Sequence, residues 1–174
     1  MTAAVLLIGP PGAGKTSVLE KLATLLEIEG VAFGALESEQ LAWGSPWLEG
    51  EAWLSQIRAV LELQRAAGRR LFLVAATTET SQQLESLTEA IAVDSVTVVL
   101  LVTSADLVAD RIADREPDSW PGKQGLIAHA RELANAMTAL QGVDLRICTE
   151  DRAPQEVATE FRDHLKQLGI IASA

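Results

Sequence analysis

Gly9-Pro10-Pro11-Gly12-Ala13-Gly14-Lys15-Thr16 follows directly on the apolar run Ala3–Ile8. The octet fits the spacing G-x-x-x-x-G-K-[ST], and each residue type answers a physical demand. The glycines let backbone N–H groups turn inward and approach phosphate oxygens. A helix opening near Lys15 aims its N-terminal partial charge at the same place. Lys15 brings a point charge to the β- and γ-phosphates of a nucleotide, and Thr16 offers a hydroxyl to Mg2+. The apolar run before the loop and the amphipathic run after it (Val18, Leu19, Leu22, Leu25, Leu26) supply the strand and helix that such a loop requires. Gly9 to Thr16, with Ser17, are therefore the candidate nucleotide-binding residues, and ATP with Mg2+ the expected cofactors.

Outward from the loop, short apolar runs alternate with longer amphipathic ones. Val31–Leu36 reads as a second strand after the helix stop at Gly30. Glu37–Pro46 reads as irregular, and Trp47 to about Ala67 as a long helix ended by Gly68. Leu71–Ala76 is a third strand, apolar throughout and so buried on both faces. Ser81–Ala92 is helical, Val96–Val102 a fourth strand, and Ser104 the N-cap of a helix running to about Glu116. Pro117–Gly125 is a loop rich in breakers. Leu126–Leu140 is helical, Val143–Cys148 a fifth strand, and Pro154–Leu168 a last helix with Pro154 in its first turn. Strands alternating with helices imply βαβ units, so the expected fold is α/β, a five-stranded parallel sheet in a three-layer sandwich with helices on both faces.

Composition agrees with one folded unit. The 174 residues are 48% hydrophobic and 22% charged, which sets the chain apart from disordered sequences. The length fits a single domain, 1–174, with a small lid around 111–125. The net charge of -10 argues against nucleic acid and against an anionic membrane surface, though a local basic pocket is compatible with it. The single cysteine, Cys148, makes neither an internal disulfide nor a cysteine-based zinc site, and it reads as an inert buried residue. No basic segment precedes the first apolar run and no apolar stretch is long enough for a membrane span, so a cytoplasmic protein is expected.

Several nucleotide-binding classes are excluded by what accompanies the loop. D-x-x-G and N-K-x-D do not occur, so this is not a GTPase pattern. L-S-G-G-Q is missing, and the third strand runs into Thr77-Thr78-Glu79 with no carboxylate at its end. What remains resembles the small-molecule P-loop kinases, the group that includes shikimate, gluconate, adenylyl-sulfate and nucleoside monophosphate kinases. The resemblance covers nearly the whole chain in element order, with the P-loop as its specific motif. It implies a strand order of 2-3-1-4-5, an arginine-bearing lid between the fourth and fifth strands, and acceptor-side residues at the end of the second strand. The activity it implies is transfer of a phosphoryl group from ATP to a small-molecule acceptor.

Many members of that group look like D-x-D at the end of strand two. Here the segment is Glu37-Ser38-Glu39, one methylene longer at each acid. Glu37, or Glu39 as second choice, is the candidate base for an acceptor hydroxyl or the group that orients Mg2+ through water. Arg111 and Arg115, four residues apart on one helix face, match the lid arginines that would clamp the transferred group. They could instead pair with neighbouring acids. Arg152, after the fifth strand, is a candidate for stacking over the base, and Arg131 for an anionic acceptor. Trp43 and Trp47 flank Gly44-Ser45-Pro46 and serve either core packing or a flat wall for an acceptor ring. Trp53 falls in the helical apolar pattern, and Trp120 sits on a loop expected to close.

Between strands two and three the only arginines are Arg58, Arg65, Arg69 and Arg70, and three of them crowd the far end. That points to a neutral or weakly charged acceptor. Two other readings stand beside the kinase: a nucleotide-binding switch with little turnover, and a slow ATPase.

Overall fold

Ala3–Ile8 forms β1, the central strand, and its alternation divides the core in two. Ala4, Leu6 and Ile8 face one layer, and Val5 and Leu7 the other. The same period of two sorts β3 (Leu71–Ala76) and β4 (Ser95–Val102), where Phe72, Val74, Val98 and Leu100 join the first layer and Leu73, Val99 and Leu101 the second. Each fully buried side chain of this size contributes about 1.5–3 kcal/mol relative to exposure. The computed structural model describes residues 1–172. Residues 173 and 174, part of the single-domain reading, lie outside the described residues.

The other elements are α1 (Lys15–Ile28), β2 (Phe33–Glu37), α2 (Ser38–Ala42), α3 (Gly50–Ala66), α4 (Ser81–Ile91), α5 (Ala105–Arg115), α6 (Lys123–Ala136), β5 (Leu145–Cys148) and α7 (Pro154–Gln167). The five strands are all parallel, in the order β2-β3-β1-β4-β5. Leu54, Ile57 and Leu61 of α3, Leu84 and Leu87 of α4, and Leu133 of α6 cover one face. Leu19, Leu22 and Leu26 of α1 and Phe161 and Leu165 of α7 cover the other. The expected three-layer α/β fold and its strand order are therefore both present.

This topology places the site. The chain leaves β1 toward β3 and β2 on one side and returns to β4 on the other. The loop after β1 thus lies at the switch point, outside the carboxyl ends of the strands, where open α/β sheets bind ligands. Ser38–Ala42, expected as irregular, is a short helix, and α3 starts at Gly50 rather than Trp47. The α6 helix starts at Lys123, inside the stretch expected as loop. Cys148 is exposed, against the expectation of burial, because β5 is a four-residue edge strand.

Candidate functional site

Two glycines shape the loop after β1. Gly12 has φ +82° and a Cβ there would stand 2.9 Å from the Val108 carbonyl oxygen, so the loop lies directly against α5. Gly14, at φ 94°, is the N-cap of α1. No side chain caps that helix and no acid stands in its first turn, which leaves its N-terminal N–H groups to an anion.

Lys15 reaches back across this loop. Its Nζ donates to the Gly9 carbonyl at 2.9 Å, the Pro10 carbonyl at 3.3 Å and Thr77 Oγ1 at 3.0 Å. Burial holds its pKa below the ordinary lysine value, and nearby Arg115 pushes the same way. Glu39 and Glu37 oppose that shift, which places both acids within electrostatic reach of the ammonium. Thr16 and Ser17 are exposed in the first turn of α1.

Glu37 ends β2 and Glu39 opens α2, so the turn from strand to helix presents both acids beside the loop. Ser38 between them is fully buried, and its carbonyl accepts from Trp53 Nε1 at 2.9 Å. Its hydroxyl donates to Glu39 Oε2 at 3.3 Å. The other oxygen, Glu39 Oε1, is buried without a partner, as is Thr78 Oγ1. Glu39, Thr77 and Thr78 open onto a cavity of about 860 Å³ between α2, α3 and the start of α4.

Arg111 turns inward. One terminal nitrogen, Nη1, lies 3.2 Å from the Gly12 carbonyl, 3.5 Å from that of Ala13 and 3.4 Å from Thr149 Oγ1. The other, Nη2, donates to the Thr149 carbonyl at 3.2 Å. Arg111 thus ties the glycine-rich loop to the turn after β5. Arg115 bonds its neighbour Glu116 at 2.7 Å and is largely exposed, although its charge is felt at Lys15.

Arg131 and Arg152 do not join this group. Arg131 pairs with Asp106 at 3.2 Å. Arg152 pairs with Glu160 at 2.6 Å and donates to the Cys148 and Glu156 carbonyls. Each is engaged by an acid, on the packed helix α5 for Arg131 and on the following helix α7 for Arg152. Trp43 and Trp47 are 76% and 51% exposed, which excludes them from the core; Trp47 lines the cavity. Trp53 packs on the core with its N–H satisfied, as the helical pattern implied. Trp120 lies over Gly122, where a Cβ would stand 2.5 Å from its ring.

Four polar residues here had no role assigned from the sequence. Thr77 and Thr78 occupy the strand end where a carboxylate was looked for. Thr149 receives Arg111. Lys123 is 7% exposed, and its ammonium donates to the Ala113 and Glu116 carbonyls and to Asp118 at 2.6–2.8 Å. It thereby closes the turn between α5 and α6. Among the described residues, no cluster of three or more acidic, histidine or cysteine side chains is arranged to hold a metal ion by itself. No helix among them is long and apolar enough to cross a membrane.

No protein-family model and no curated protein matches the chain. Solved structures match it over nearly its full length. A gluconokinase from Sinorhizobium meliloti 1021 is 20% identical with a TM-score of 0.64, over 95% of this chain and 93% of that one. A shikimate kinase from Acinetobacter baumannii, in complex with shikimate, is 22% identical with a TM-score of 0.62, over 99% and 97%. The Mycobacterium tuberculosis APS kinase, in complex with AMPPNP and APS, is 20% identical with a TM-score of 0.61, over 95% and 98%. These neighbours are small-molecule kinases, in keeping with the resemblance drawn from the sequence. At such identities the likeness establishes a shared fold, the three-layer α/β sandwich of P-loop kinases.

Proposed function

We propose that this chain is an ATP-dependent kinase of a small-molecule acceptor. The observation that carries the proposal is Lys15 held against the glycine-rich loop by the Gly9 and Pro10 carbonyls and Thr77, within electrostatic reach of Glu37 and Glu39, with Glu39 lining a cavity and its Oε1 buried and unpartnered. The loop N–H groups, the α1 N-terminus and Lys15 would bind the phosphates of ATP. Glu37 or Glu39 would take the proton of the acceptor hydroxyl.

The transfer balances without further reactants. The acceptor oxygen forms a bond to the γ-phosphorus, the bond from that phosphorus to the β,γ-bridging oxygen breaks, and its electron pair leaves with ADP. The hydroxyl proton passes to the carboxylate and then to solvent. Charge spreads over the transferred group, so cations placed beforehand do most of the work. Lys15 is in place for this, and Arg111 stands at the loop's edge. Arg115, four residues further along α5, adds a charge that is felt at Lys15.

The residues present fit Mg2+ as an ion carried largely by phosphate and water, with Thr16 as its protein hydroxyl. Mg2+ prefers hard oxygen donors and keeps several waters, so a cage of carboxylates is not required. When bound it would neutralise charge on the phosphates. The segment from α5 through the Lys123 turn is the candidate lid, which would exclude water on closing.

The direct test is calorimetric titration with ATP and Mg2+, followed by ATP loss with and without hydroxylated acceptors. ADP formation that depends on an acceptor and vanishes in Lys15→Ala supports the kinase. Tight nucleotide binding without turnover under every condition favours the switch module and removes the enzyme reading.

A further inference from the structure

The cavity beside Glu39 is acidic. Four carboxylates line it, Glu39, Glu49, Glu51 and Glu79, and no lysine or arginine does so among the described residues. Two of these acids are already matched: Glu51 pairs with Arg58, and Glu79 with His129 at 3.1 Å. Glu39 and Glu49 have no ion-pair partner among the described residues. Lys15 spends its own donors on Gly9, Pro10 and Thr77, and in the proposed reaction it faces phosphate.

A second observation is independent of the acids. Thr78 lines the same cavity, is 1% exposed, and its hydroxyl has no partner. A buried polar atom left unpaired costs about 1–3 kcal/mol, and an incoming hydroxyl would recover that cost. Trp47 and Trp53 supply aromatic surface, and Trp53 is fixed by its bond to the Ser38 carbonyl. Aromatic faces beside unpaired carboxylates attract cations and repel anions.

Resting on the kinase reading, we propose that the acceptor is an alcohol that also carries an ammonium group, an amino alcohol or amino sugar. Its hydroxyl sits against Glu39 and Thr78 at the inner end, near Lys15, where a rotation of either side chain would turn the covered Glu39 Oε1 or Thr78 Oγ1 toward it. Its ammonium is held near Glu49 and Trp47 at the open rim. A carboxylate or phosphate acceptor would enter a cavity whose lining holds four carboxylates and no lysine or arginine. The alcohol oxygen is the atom phosphorylated, in the balanced transfer given above, because the protonated amine has no lone pair to offer.

The test uses two matched sets that differ in charge: glucosamine, glucose and glucuronate; and 2-amino-1-phenylethanol, 1-phenyl-1,2-ethanediol and mandelate. ADP formation and quenching of tryptophan fluorescence are followed separately for the full chain, with Trp47→Phe locating the quench. The ammonium member is expected to bind and react best in at least one set. Glu49→Lys is expected to weaken it about tenfold, the size of one charge contact at a partly exposed site. Preference for the neutral or anionic member in both sets overturns this inference and leaves the kinase intact. Quenching by the ammonium member without any ADP overturns the kinase and keeps the ligand class. No quenching and no ADP across both sets overturns the inference as well.

Discussion

Lys15 and Thr77 are joined by a hydrogen bond of 3.0 Å that runs from the glycine-rich loop to the end of β3. Thr77 also lies 3.4 Å from the Gly9 carbonyl, the first acceptor of the same lysine. The threonine thus orients the ammonium that is proposed to meet ATP. Thr77→Val removes the hydroxyl at nearly constant volume. It is expected to raise KM for ATP several-fold, with Thr77→Ser close to wild type in steady-state kinetics. Equal KM values for all three would show that the lysine needs no such support.

The lowered pKa of Lys15 carries a sign. Burial disfavours its charged form in the folded chain, so stability rises as pH climbs through the lowered value toward the ordinary lysine value. Phosphate binding needs the charged form and has the opposite dependence. The kcat/KM for ATP is therefore expected to fall on an alkaline limb that begins below the ordinary lysine range. A pH profile flat up to that range would contradict the burial argument.

Glu37 and Glu39 are separable by single substitutions. The one that takes the acceptor proton is expected to lose about 10²–10⁴ in kcat as glutamine, with nucleotide affinity unchanged. The other is expected to change KM for acceptor more than kcat. Kinetics of both variants against one acceptor decide the assignment.

Lys123 closes the turn from α5 to α6 through two carbonyls and Asp118. Its hydrogen bond keeps the Asp118 pKa below the ordinary value. That contribution is present at neutral pH and is lost only as pH falls through the lowered value. Lys123→Met leaves two carbonyls unpaired and is expected to cost about 1–3 kcal/mol. For a chain of this size about 2–4 °C of Tm accompanies each kcal/mol, read by calorimetry. An unchanged Tm would mean that water replaces the ammonium freely.

The sequence was most legible where one rule acted alone. β1 and β3 lie at the expected bounds because each is an unbroken run of six apolar residues that ends where polar or glycine-rich sequence begins. The loop at Gly9–Thr16 was readable because each residue type answers a separate demand of phosphate. The helix Ser38–Ala42 was not, since five residues span little more than a turn and show no period. Nothing local to Lys123 marks its burial, because its three acceptors come within reach only in the folded turn. Arg111 and Arg131 look alike along the chain. Only packing sends the first to the phosphate loop and the second to Asp106. Glu39 was legible as an acid in the right place, but its unpartnered oxygen depends on how Ser38 and Trp53 lock the turn.

The central claim is phosphoryl transfer, and the fate of the γ-phosphorus tests it most directly. Wild-type protein, ATP, Mg2+ and an acceptor from the two matched sets are followed by phosphorus NMR, with Lys15→Ala as control. The account predicts a phosphomonoester on the acceptor in equal amount to ADP, absent in the control. Inorganic phosphate as the sole product, formed at the same rate without acceptor, would contradict it.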